Sequence, residues 1–262
     1  MATSKPTILF AHGAFHTPES FSNLASALEK KGYHCPNDFQ LPSIDAPSSA
    51  APGLLEDAQA LRQYVLECID GTGRFESQGP NDCVVVMHSY GGAVGSQALE
   101  GLGTKQRPGK KAIKKLVYIN ANIVEPGDTV QAQMERFGQL TDYQAPPDLY
   151  MLDGQNVKYV GPEDLFYNDI DPESSKTLYA GLKPTGFGAF LTPLTGAAYR
   201  DIPSWALVGD RDNCLTPKFQ EWELGLHKGY FEHVEHIDGG HFCFIPKPAE
   251  VAEVVDRAAT AL

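Results

Sequence analysis

The segment of this chain that most limits its fold is VVVMHSYGG, in which an apolar run leads into Ser89 and then into Gly91 and Gly92. A serine exposed on a sharp turn between a strand and a helix needs very small residues around it, because larger side chains would collide with the neighbouring backbone. The pattern predicts such a nucleophile elbow. Glycine usually stands two residues before the serine as well, and Met87 occupies that position here. The alternative interpretation is a buried strand followed by an ordinary glycine turn.

The two groups that an activated serine requires appear later in the chain, in the order acid and then histidine. An apolar run at 205–208 ends just before Asp210 and Asp212, and His241 follows a second strand-like alternation. Loops at the carboxyl ends of parallel strands can bring such groups together. Because serine is a weak nucleophile, an imidazole must take its proton and a carboxylate must orient that imidazole. We predict Ser89, His241 and one of the two aspartates as catalytic residues.

An early strand-like run, 7–11, leads into the sequence HGAFH, where an oxyanion hole is expected. One donor would be the backbone N–H of Tyr90, directly after the serine, and the other that of Ala14. His16 could contact substrate from this loop or bond to the backbone there. The His88 side chain should point away from the site, because successive side chains alternate across a strand.

Charge and composition exclude several classes of function. The chain has 21 Lys and Arg against 33 Asp and Glu, a net charge of −12, which argues against binding to a nucleic-acid backbone. The basic cluster at 105–115 is interpreted as a solvated loop and helix end. No run is long and apolar enough to cross a membrane, and residues 1–6 enter a strand without a signal-peptide core. We therefore expect a soluble, cytoplasmic protein.

Five cysteines without paired spacing favour free thiols over a disulfide framework or a zinc site. Cys83 is predicted in the strand before the elbow, and Cys243 is a candidate for the pocket wall. We predict no metal site and no cofactor. The expected partner is a small-molecule substrate, with no nucleic acid and no membrane, and the sequence leaves a homodimer open.

Strand and helix signals alternate along the chain, which predicts an α/β fold with a mostly parallel sheet. The 262 residues suit one domain, with a core at 1–120 and 201–262. Between them, residues 121–200 are rich in proline, glycine and aromatic side chains. We interpret this insertion as a cap, or lid, with an apolar face toward the substrate. Helices are predicted at 18–28, 54–65, 93–99 and 249–262, and strands at 7–11, 84–89, 114–119, 205–208 and 230–237.

Together these features resemble the α/β-hydrolase fold, and in particular fungal and bacterial hydrolases related to plant methylesterases and hydroxynitrile lyases. The shared segments are HGAFH (12–16), HSYGG (88–92), VYIN (117–120), Asp212 with LTPKFQ (215–220), and GGH (239–241). The resemblance implies that Asp212 rather than Asp210 is the acid, because the family's acid precedes a helix that starts with proline. It also places Asn120 and Phe242 at the site, and we list Phe15, His16, Asn120 and Phe242 as candidate substrate-binding residues.

Two positions separate branches of this family. Plant hydroxynitrile lyases carry threonine after the first-strand histidine and lysine after the catalytic histidine, and here those positions are Gly13 and Phe242. The resemblance therefore favours a serine esterase or lactonase acting on a small hydrophobic or aromatic compound. Two alternatives remain open. One is C–C bond cleavage, or cyclisation, of a polyketide-like β-dicarbonyl; the other is a non-catalytic ligand receptor on the same fold.

Overall fold

In the computed structural model, which describes residues 5–49, 52–138 and 149–261, five parallel strands form the central sheet in the order β1-β2-β3-β7-β8. The strands in chain order are β1 (Thr7–Ala11), β2 (Cys83–Ser89), β3 (Ile113–Ala121), β4 (Tyr150–Asp153), β5 (Asn156–Tyr159), β6 (Thr185–Gly186), β7 (Ser204–Gly209) and β8 (Phe231–Ile237). The predicted parallel sheet is thus confirmed, with strand ends within two residues of the prediction.

Helices flank this sheet. Those in the described residues are α1 (Ser22–Lys30), α2 (Leu54–Asp70), α3 (Tyr90–Ala98), α4 (Val130–Phe137), α5 (Asp164–Tyr167), α6 (Pro172–Ala180), α7 (Gly188–Leu191), α8 (Pro217–Leu226) and α9 (Pro248–Thr260). The helix predicted from residue 18 begins as a 3₁₀ turn, Pro18–Phe21, before α1. Among these residues no helix has the length and apolar character needed to cross a membrane.

Strands β1, β2, β3 and β7 are buried along nearly their whole length, as strands covered by helices on both faces must be. Every residue of β1 is buried, and in β2 the first six residues are buried while Ser89 is partly exposed. Cys83 lies in β2, as predicted, and is fully buried. The outer strand β8 exposes most of its residues. Ser89 therefore lies at the carboxyl end of a buried strand, where its side chain is partly exposed.

Residues between β3 and β7 form a separate set of small elements. Strands β4, β5 and β6 make a three-stranded sheet, antiparallel within each pair, and helices α4 to α7 belong to the same interval of the chain. An isolated bridge joins Ile44 to Thr185, so β6 also touches the chain before α2. The predicted cap, 121–200, lies in this interval; residues 139–148 of it lie outside the described residues. Its role as a lid, and the division into core and cap, stay predictions.

Candidate active site

Ser89 lies on a strained turn between β2 and α3. Its backbone has φ 55° and ψ −127°, which a residue with a side chain seldom adopts. The glycines after it are required by close packing. A Cβ on Gly91 would lie 2.3 Å from the Ala11 carbonyl oxygen, and one on Gly92 would lie 2.6 Å from that of Asn122. The local sequence therefore folds into the predicted elbow.

Met87 fills the position where glycine is usual, and helix α3 makes room for it. The Met87 side chain is fully buried. A Cβ on Gly95, one turn into α3, would lie only 2.0 Å from the Met87 sulfur. The small residue that the elbow lacks on the strand is thus present on the facing helix.

His241 and Asp212 form a buried pair. The Nδ1–H of His241 donates to Asp212 Oδ2 at 2.8 Å, and neither side chain is exposed. The other carboxylate oxygen, Oδ1, accepts from the backbone N–H groups of Cys214 and Leu215 at 2.8 and 2.9 Å. Gln220 also donates to Oδ2 at 3.2 Å. The carboxylate is therefore fixed by the loop that carries it, and it holds the Nδ1 edge of the imidazole.

The second candidate acid lies elsewhere. Asp210 is exposed and pairs with His236 at 2.8 Å on the protein surface. The structure thus brings Asp212, not Asp210, to His241.

The environment of His241 favours a basic ring. Burial opposes its positive charge, but the Asp212 carboxylate beside it outweighs burial and holds the pKa of His241 above its ordinary value. Among the described residues, no group is hydrogen-bonded to its Nε2 atom. His241 and Ser89 line the same cavity, so this nitrogen is the atom to which a serine proton could move.

Asn120 does not line that cavity, so the cavity gives no support to its predicted role in substrate binding. Its amide nitrogen donates to the carbonyl oxygens of Gly240 and His241, both at 3.0 Å, and its oxygen accepts from Gly209 N–H at 2.6 Å. The backbone turns at Asn120 with φ 44°, which directs the side chain toward the neighbouring strand end. Asn120 fixes the position of His241 rather than meeting a ligand.

Phe242 is also outside the cavity wall, so the cavity gives no support to its predicted role in substrate binding. It is buried, with its ring centroid 4.3 Å from that of His16 and 4.4 Å from that of His88. His88 points away from the cavity as predicted, and its Nε2–H donates to the His241 carbonyl oxygen at 3.0 Å. Burial holds the pKa of His88 well below its usual range, so the ring is neutral. These rings form a support behind His241.

Residues 12–16, which we call loop A, are held in place by the insertion. Phe15 adopts φ 64°, its N–H donates to Thr185 Oγ1 at 2.9 Å, and its carbonyl oxygen accepts from Lys183 N–H at 2.9 Å. Because the Phe15 N–H is engaged, the predicted oxyanion donor in this loop remains Ala14. A Cβ on Gly13 would lie 2.9 Å from Ser89 Cβ, so this loop passes directly beside the serine.

The sequence left two roles open for His16, a contact with substrate or a bond to the backbone. The structure is compatible with both, because His16 lines the cavity and also bonds to the backbone. Its Nδ1–H donates to the Ala14 carbonyl oxygen at 2.7 Å, and its Nε2 accepts from the Tyr167 hydroxyl at 2.6 Å. Burial lowers the pKa of His16 to about 3, so the ring is neutral. With both nitrogens engaged, His16 presents a ring face to the cavity.

Tyr90 follows the serine, and its side chain is anchored by a group that sequence reasoning missed. The Tyr90 hydroxyl donates to Asp57 Oδ2 at 2.8 Å, and Ser43 N–H donates to Asp57 Oδ1 at 2.8 Å. Asp57 lies in α2 and is fully buried, and burial raises the pKa of its carboxyl group. The hydrogen bond to Asp57 fixes the side chain of Tyr90, whose backbone N–H is the other predicted oxyanion donor.

The cavity at this site has a volume of about 360 Å³ and mostly apolar walls. Of the residues predicted at the site, Ala14, Phe15, His16 and Tyr90 line it, and Asn122 and Cys214 line it without having been predicted. Cys243, a candidate for the wall, is fully buried and does not line the cavity. The other lining side chains are Val130, Gln131, Met134, Tyr150, Leu152, Val157, Phe166, Phe187, Phe190 and Leu215.

Two further loops carry the predicted catalytic residues: loop B (209–215) holds Asp212 and loop C (238–243) holds His241. Both contact the insertion. Asn168 Nδ2 donates to the Arg211 carbonyl oxygen at 2.7 Å, and Gly240 N–H donates to Asp169 Oδ2 at 2.6 Å. In the described parts of the chain, no group of three or more His, Cys, Asp or Glu side chains is arranged to hold a metal ion.

Comparison with known proteins agrees with this architecture. Residues 8–254 match the model of the alpha/beta hydrolase family. The chain belongs to that family. This alpha/beta hydrolase is 29% identical over 258 residues to the alpha/beta hydrolase nvfD of Aspergillus novofumigatus, with 97% of each chain covered.

Solved structures show the same fold at lower identity. An extracellular alpha/beta-hydrolase from a Paenibacillus species superposes with a TM-score of 0.72 and 19% identity, covering 97% of this hydrolase and 98% of that chain. The methylesterase protein MES16 from Arabidopsis gives a TM-score of 0.70 and 20% identity, covering 98% and 100%. At these identities the likeness establishes the fold and leaves the substrate to other arguments.

Proposed function

We propose that this protein is a cofactor-independent serine hydrolase that cleaves a carboxylic ester or lactone of a small hydrophobic or aromatic compound. The observation that carries the proposal is the convergence of Ser89, on its strained turn, and the buried His241–Asp212 pair on one cavity. The hydrolase family and a methylesterase among its structural neighbours support the same class of reaction.

In the proposed mechanism, Ser89 Oγ attacks the carbonyl carbon and its proton passes to His241 Nε2. Asp212 keeps the ring oriented and stabilises the imidazolium. The N–H groups of Ala14 and Tyr90 hold the oxyanion of the tetrahedral intermediate. His241 then protonates the leaving oxygen as the C–O bond breaks, and a water molecule attacks the acyl-enzyme by the same route, releasing the acid and restoring Ser89.

The cavity walls support an apolar substrate. Met134, Phe166 and Phe190 line the cavity, and it carries no Lys, Arg, Asp or Glu among its described lining residues. A charged substrate body would lose hydration there without gaining an ion pair. We infer that the insertion covers this apolar body, in the role of the predicted lid.

The first test is the intact mass of the native protein and of Ser89→Ala after exposure to a fluorophosphonate probe. We expect a single adduct on the native protein and none on the variant. An adduct that persists in Ser89→Ala, or a folded native protein that is never labelled, would contradict the proposed nucleophile.

A second comparison tests the acid. Asp212→Asn should lower kcat for any cleaved ester by about 10³- to 10⁴-fold, because the imidazole loses its orienting charge. Asp210→Asn, at an exposed position in the same loop, is the matched control and should leave kcat unchanged. The opposite ranking would show that the wrong aspartate has been assigned.

A further inference from the structure

One buried carboxyl group has no part in the proposed hydrolysis. Asp57 lies in the first turn of α2 and is fully buried, yet no cation pairs with it among the described residues. Its two oxygens are bonded to different parts of the molecule. Oδ1 accepts from Ser43 N–H and Oδ2 accepts from the Tyr90 hydroxyl, both at 2.8 Å. Because burying a carboxyl group opposes folding, its presence here indicates a role beyond packing.

One of these two bonds leads to the elbow. Tyr90 directly follows Ser89 and is the first residue of α3, and its backbone N–H is one of the two predicted oxyanion donors. Its ring lies in the cavity wall, 5.8 Å from the ring of Phe190, and its hydroxyl reaches Asp57. The turn at Ser89 therefore holds the main chain of Tyr90, and Asp57 holds the far end of its side chain.

The other bond leads to loop A, which carries the second predicted donor. Gly186 N–H, in β6, donates to the Ser43 carbonyl oxygen at 2.8 Å. Thr185, the other residue of β6, accepts from Phe15 N–H at 2.9 Å through its Oγ1 atom. Phe15 directly follows Ala14, whose N–H is the second donor.

The two predicted donors are thus joined by one continuous set of contacts, with Asp57 between them. Such donors must lie about 2.7–3.1 Å from the oxygen that becomes negative. They come from distant parts of the chain, so their spacing depends on tertiary contacts of this kind. A leucine at position 57 would fill similar space but would leave Ser43 N–H without its acceptor and the Tyr90 hydroxyl without this partner.

We propose that Asp57 is a positioning residue of the oxyanion hole: by bonding to both Tyr90 and Ser43, it holds the N–H groups of Tyr90 and Ala14 at the spacing that the oxyanion requires. The inference rests on the proposed function and extends it to a residue that does not line the cavity. The oxyanion forms only after the substrate has bound. Loss of Asp57 should therefore lower kcat and leave KM nearly unchanged.

The first test removes this link at either end. Tyr90→Phe loses only the hydroxyl, and we expect kcat for the nitrophenyl ester that is cleaved best to fall about fivefold. Asp57→Leu loses both bonds, and kcat should fall about 10- to 30-fold. Asp57→Asn is the conservative variant. Its oxygen can accept from Ser43 N–H and its NH₂ group can donate to the Tyr90 hydroxyl, so it should recover most of the lost kcat.

Tyr118→Phe is the matched control for Tyr90→Phe. Tyr118 is as deeply buried as Tyr90, and its hydroxyl is hydrogen-bonded to Ser96 Oγ at 2.9 Å, but it does not line the cavity. Its loss of a buried hydrogen bond should lower stability in urea unfolding and leave kcat at the native value.

A trifluoromethyl ketone that carries the acyl part of the same ester reports on the oxyanion hole directly. Ser89 Oγ adds to its carbonyl carbon, the serine proton passes to His241 Nε2, and the ketone oxygen becomes an oxyanion facing the two donors. The inhibition constant should rise in Tyr90→Phe and Asp57→Leu by the same factor as kcat/KM falls. It should keep its native value in Tyr118→Phe, because a loss of stability alone does not change it.

A double variant tests whether the contacts form one set. Tyr90→Phe and Thr185→Val interrupt the same set at different points, so their combined loss of kcat should be smaller than the product of the two separate losses. Losses that simply multiply would show that the two donors are held independently, which would overturn the proposal.

Three further outcomes would overturn it: native kcat and a native inhibition constant in Tyr90→Phe, an equal fall of kcat in Tyr118→Phe, or a loss in Asp57→Asn as large as in Asp57→Leu. If Asp57→Leu does not fold, Tyr90→Phe and the double variant decide the question. Native protein that is neither labelled by the fluorophosphonate probe nor active on any ester would refute the proposed function, and this inference with it. A labelled, active native enzyme with an unaffected Tyr90→Phe would refute only the role of Asp57.

Discussion

Two stretches of the segment between β3 and β7 enclose the same cavity by different means. Residues 164–186 are hydrogen-bonded to all three loops that carry the predicted catalytic groups. Tyr167 and Thr185 bond to loop A, Asn168 to loop B and Asp169 to loop C. Helix α4 and the β4–β5 hairpin instead contribute apolar side chains to the wall.

The exposure of the two stretches differs accordingly. Thr185 is fully buried and Tyr167 is 2% exposed, whereas all of β4 is exposed, with Leu152 at 65%. Hydrogen bonds fix the direction and distance between two groups, while apolar contact depends chiefly on the area buried. We therefore expect residues 164–186 to act as part of the catalytic framework, and α4 with the hairpin to act on substrate binding. The predicted lid role fits the second stretch better.

Removal of the hydrogen bond from Phe15 N–H to Thr185 Oγ1 should have the largest effect on catalysis. Thr185→Val keeps the shape of the side chain but leaves this buried N–H without its acceptor. Loop A should then shift, moving the Ala14 donor from the developing oxyanion. We expect kcat to fall about 10- to 100-fold with KM nearly unchanged, measured in steady-state assays on one ester.

Thr185→Ser is the matched variant, since it restores the hydroxyl acceptor and should recover most of the lost kcat. A Thr185→Val enzyme with native kcat and a raised KM would show that this stretch, like the hairpin, acts only on binding.

Removal of the contact between Asp169 and loop C should have the next largest effect on kcat. Asp169→Ala removes the acceptor for Gly240 N–H, which lies one residue before His241. A charge-assisted bond of this kind helps to set the ring position, and we expect kcat to fall about 10-fold. Asp171→Ala, two residues away, removes the N-cap of α6 and touches none of the three loops, so it should lower stability but not kcat. If Asp169→Ala and Asp171→Ala have the same kcat, the contact with loop C does not act on catalysis, and residues 164–186 would not differ from the apolar wall in this respect.

The sequence predicts the parts of this molecule that depend on neighbours in the chain. Continuous apolar runs identify the buried strands, and Ser89 follows from a short motif at the end of one of them. His241 follows from a short glycine motif after the alternating, mostly exposed strand β8. The choice between Asp210 and Asp212 needed a family resemblance. The physical reason for the difference between the two aspartates is that the backbone N–H groups of Cys214 and Leu215 donate to the Asp212 carboxylate. Residue spacing does not reveal these bonds.

Other parts depend on contacts between distant residues. Thr185 lies 170 residues from Phe15, and Asp57 lies 33 residues from Tyr90, so no local pattern marks either bond. The predicted role of Asn120 in substrate binding came from the family resemblance, and no sequence pattern reveals that its side chain bonds to the backbone of Gly209 and Gly240. The cavity residue at this strand end is Asn122, two positions further on, which no motif marked.

The apolar wall should respond through substrate binding. Met134, on α4, lines the cavity, and Met134→Ala should raise KM for an ester with a large apolar body by about three- to tenfold while kcat changes little. Met151 is 51% exposed in the hairpin and does not line the cavity, so Met151→Ala is the control and should leave both constants unchanged. A fall in kcat without a rise in KM would assign α4 to the framework.

The last prediction concerns how α4 itself is held. Gln133, on this helix, donates to the buried carboxylate of Glu223 on α8, and burial raises the pKa of Glu223 from 4.5 to about 8. Between these two values the folded protein holds a proton that the unfolded chain releases, so Glu223 makes stability fall as pH rises from about 4.5 to about 8. Glu223→Gln should remove this dependence. We expect it to raise the free energy of unfolding at pH 8 by on the order of 1–2 kcal/mol and to change it little at pH 5. Glu221→Gln, exposed on the same helix, should show no such difference in urea unfolding at the two pH values. A gain of equal size at both would mean that the Glu223 carboxyl group does not change its charge between pH 5 and pH 8 in the folded protein.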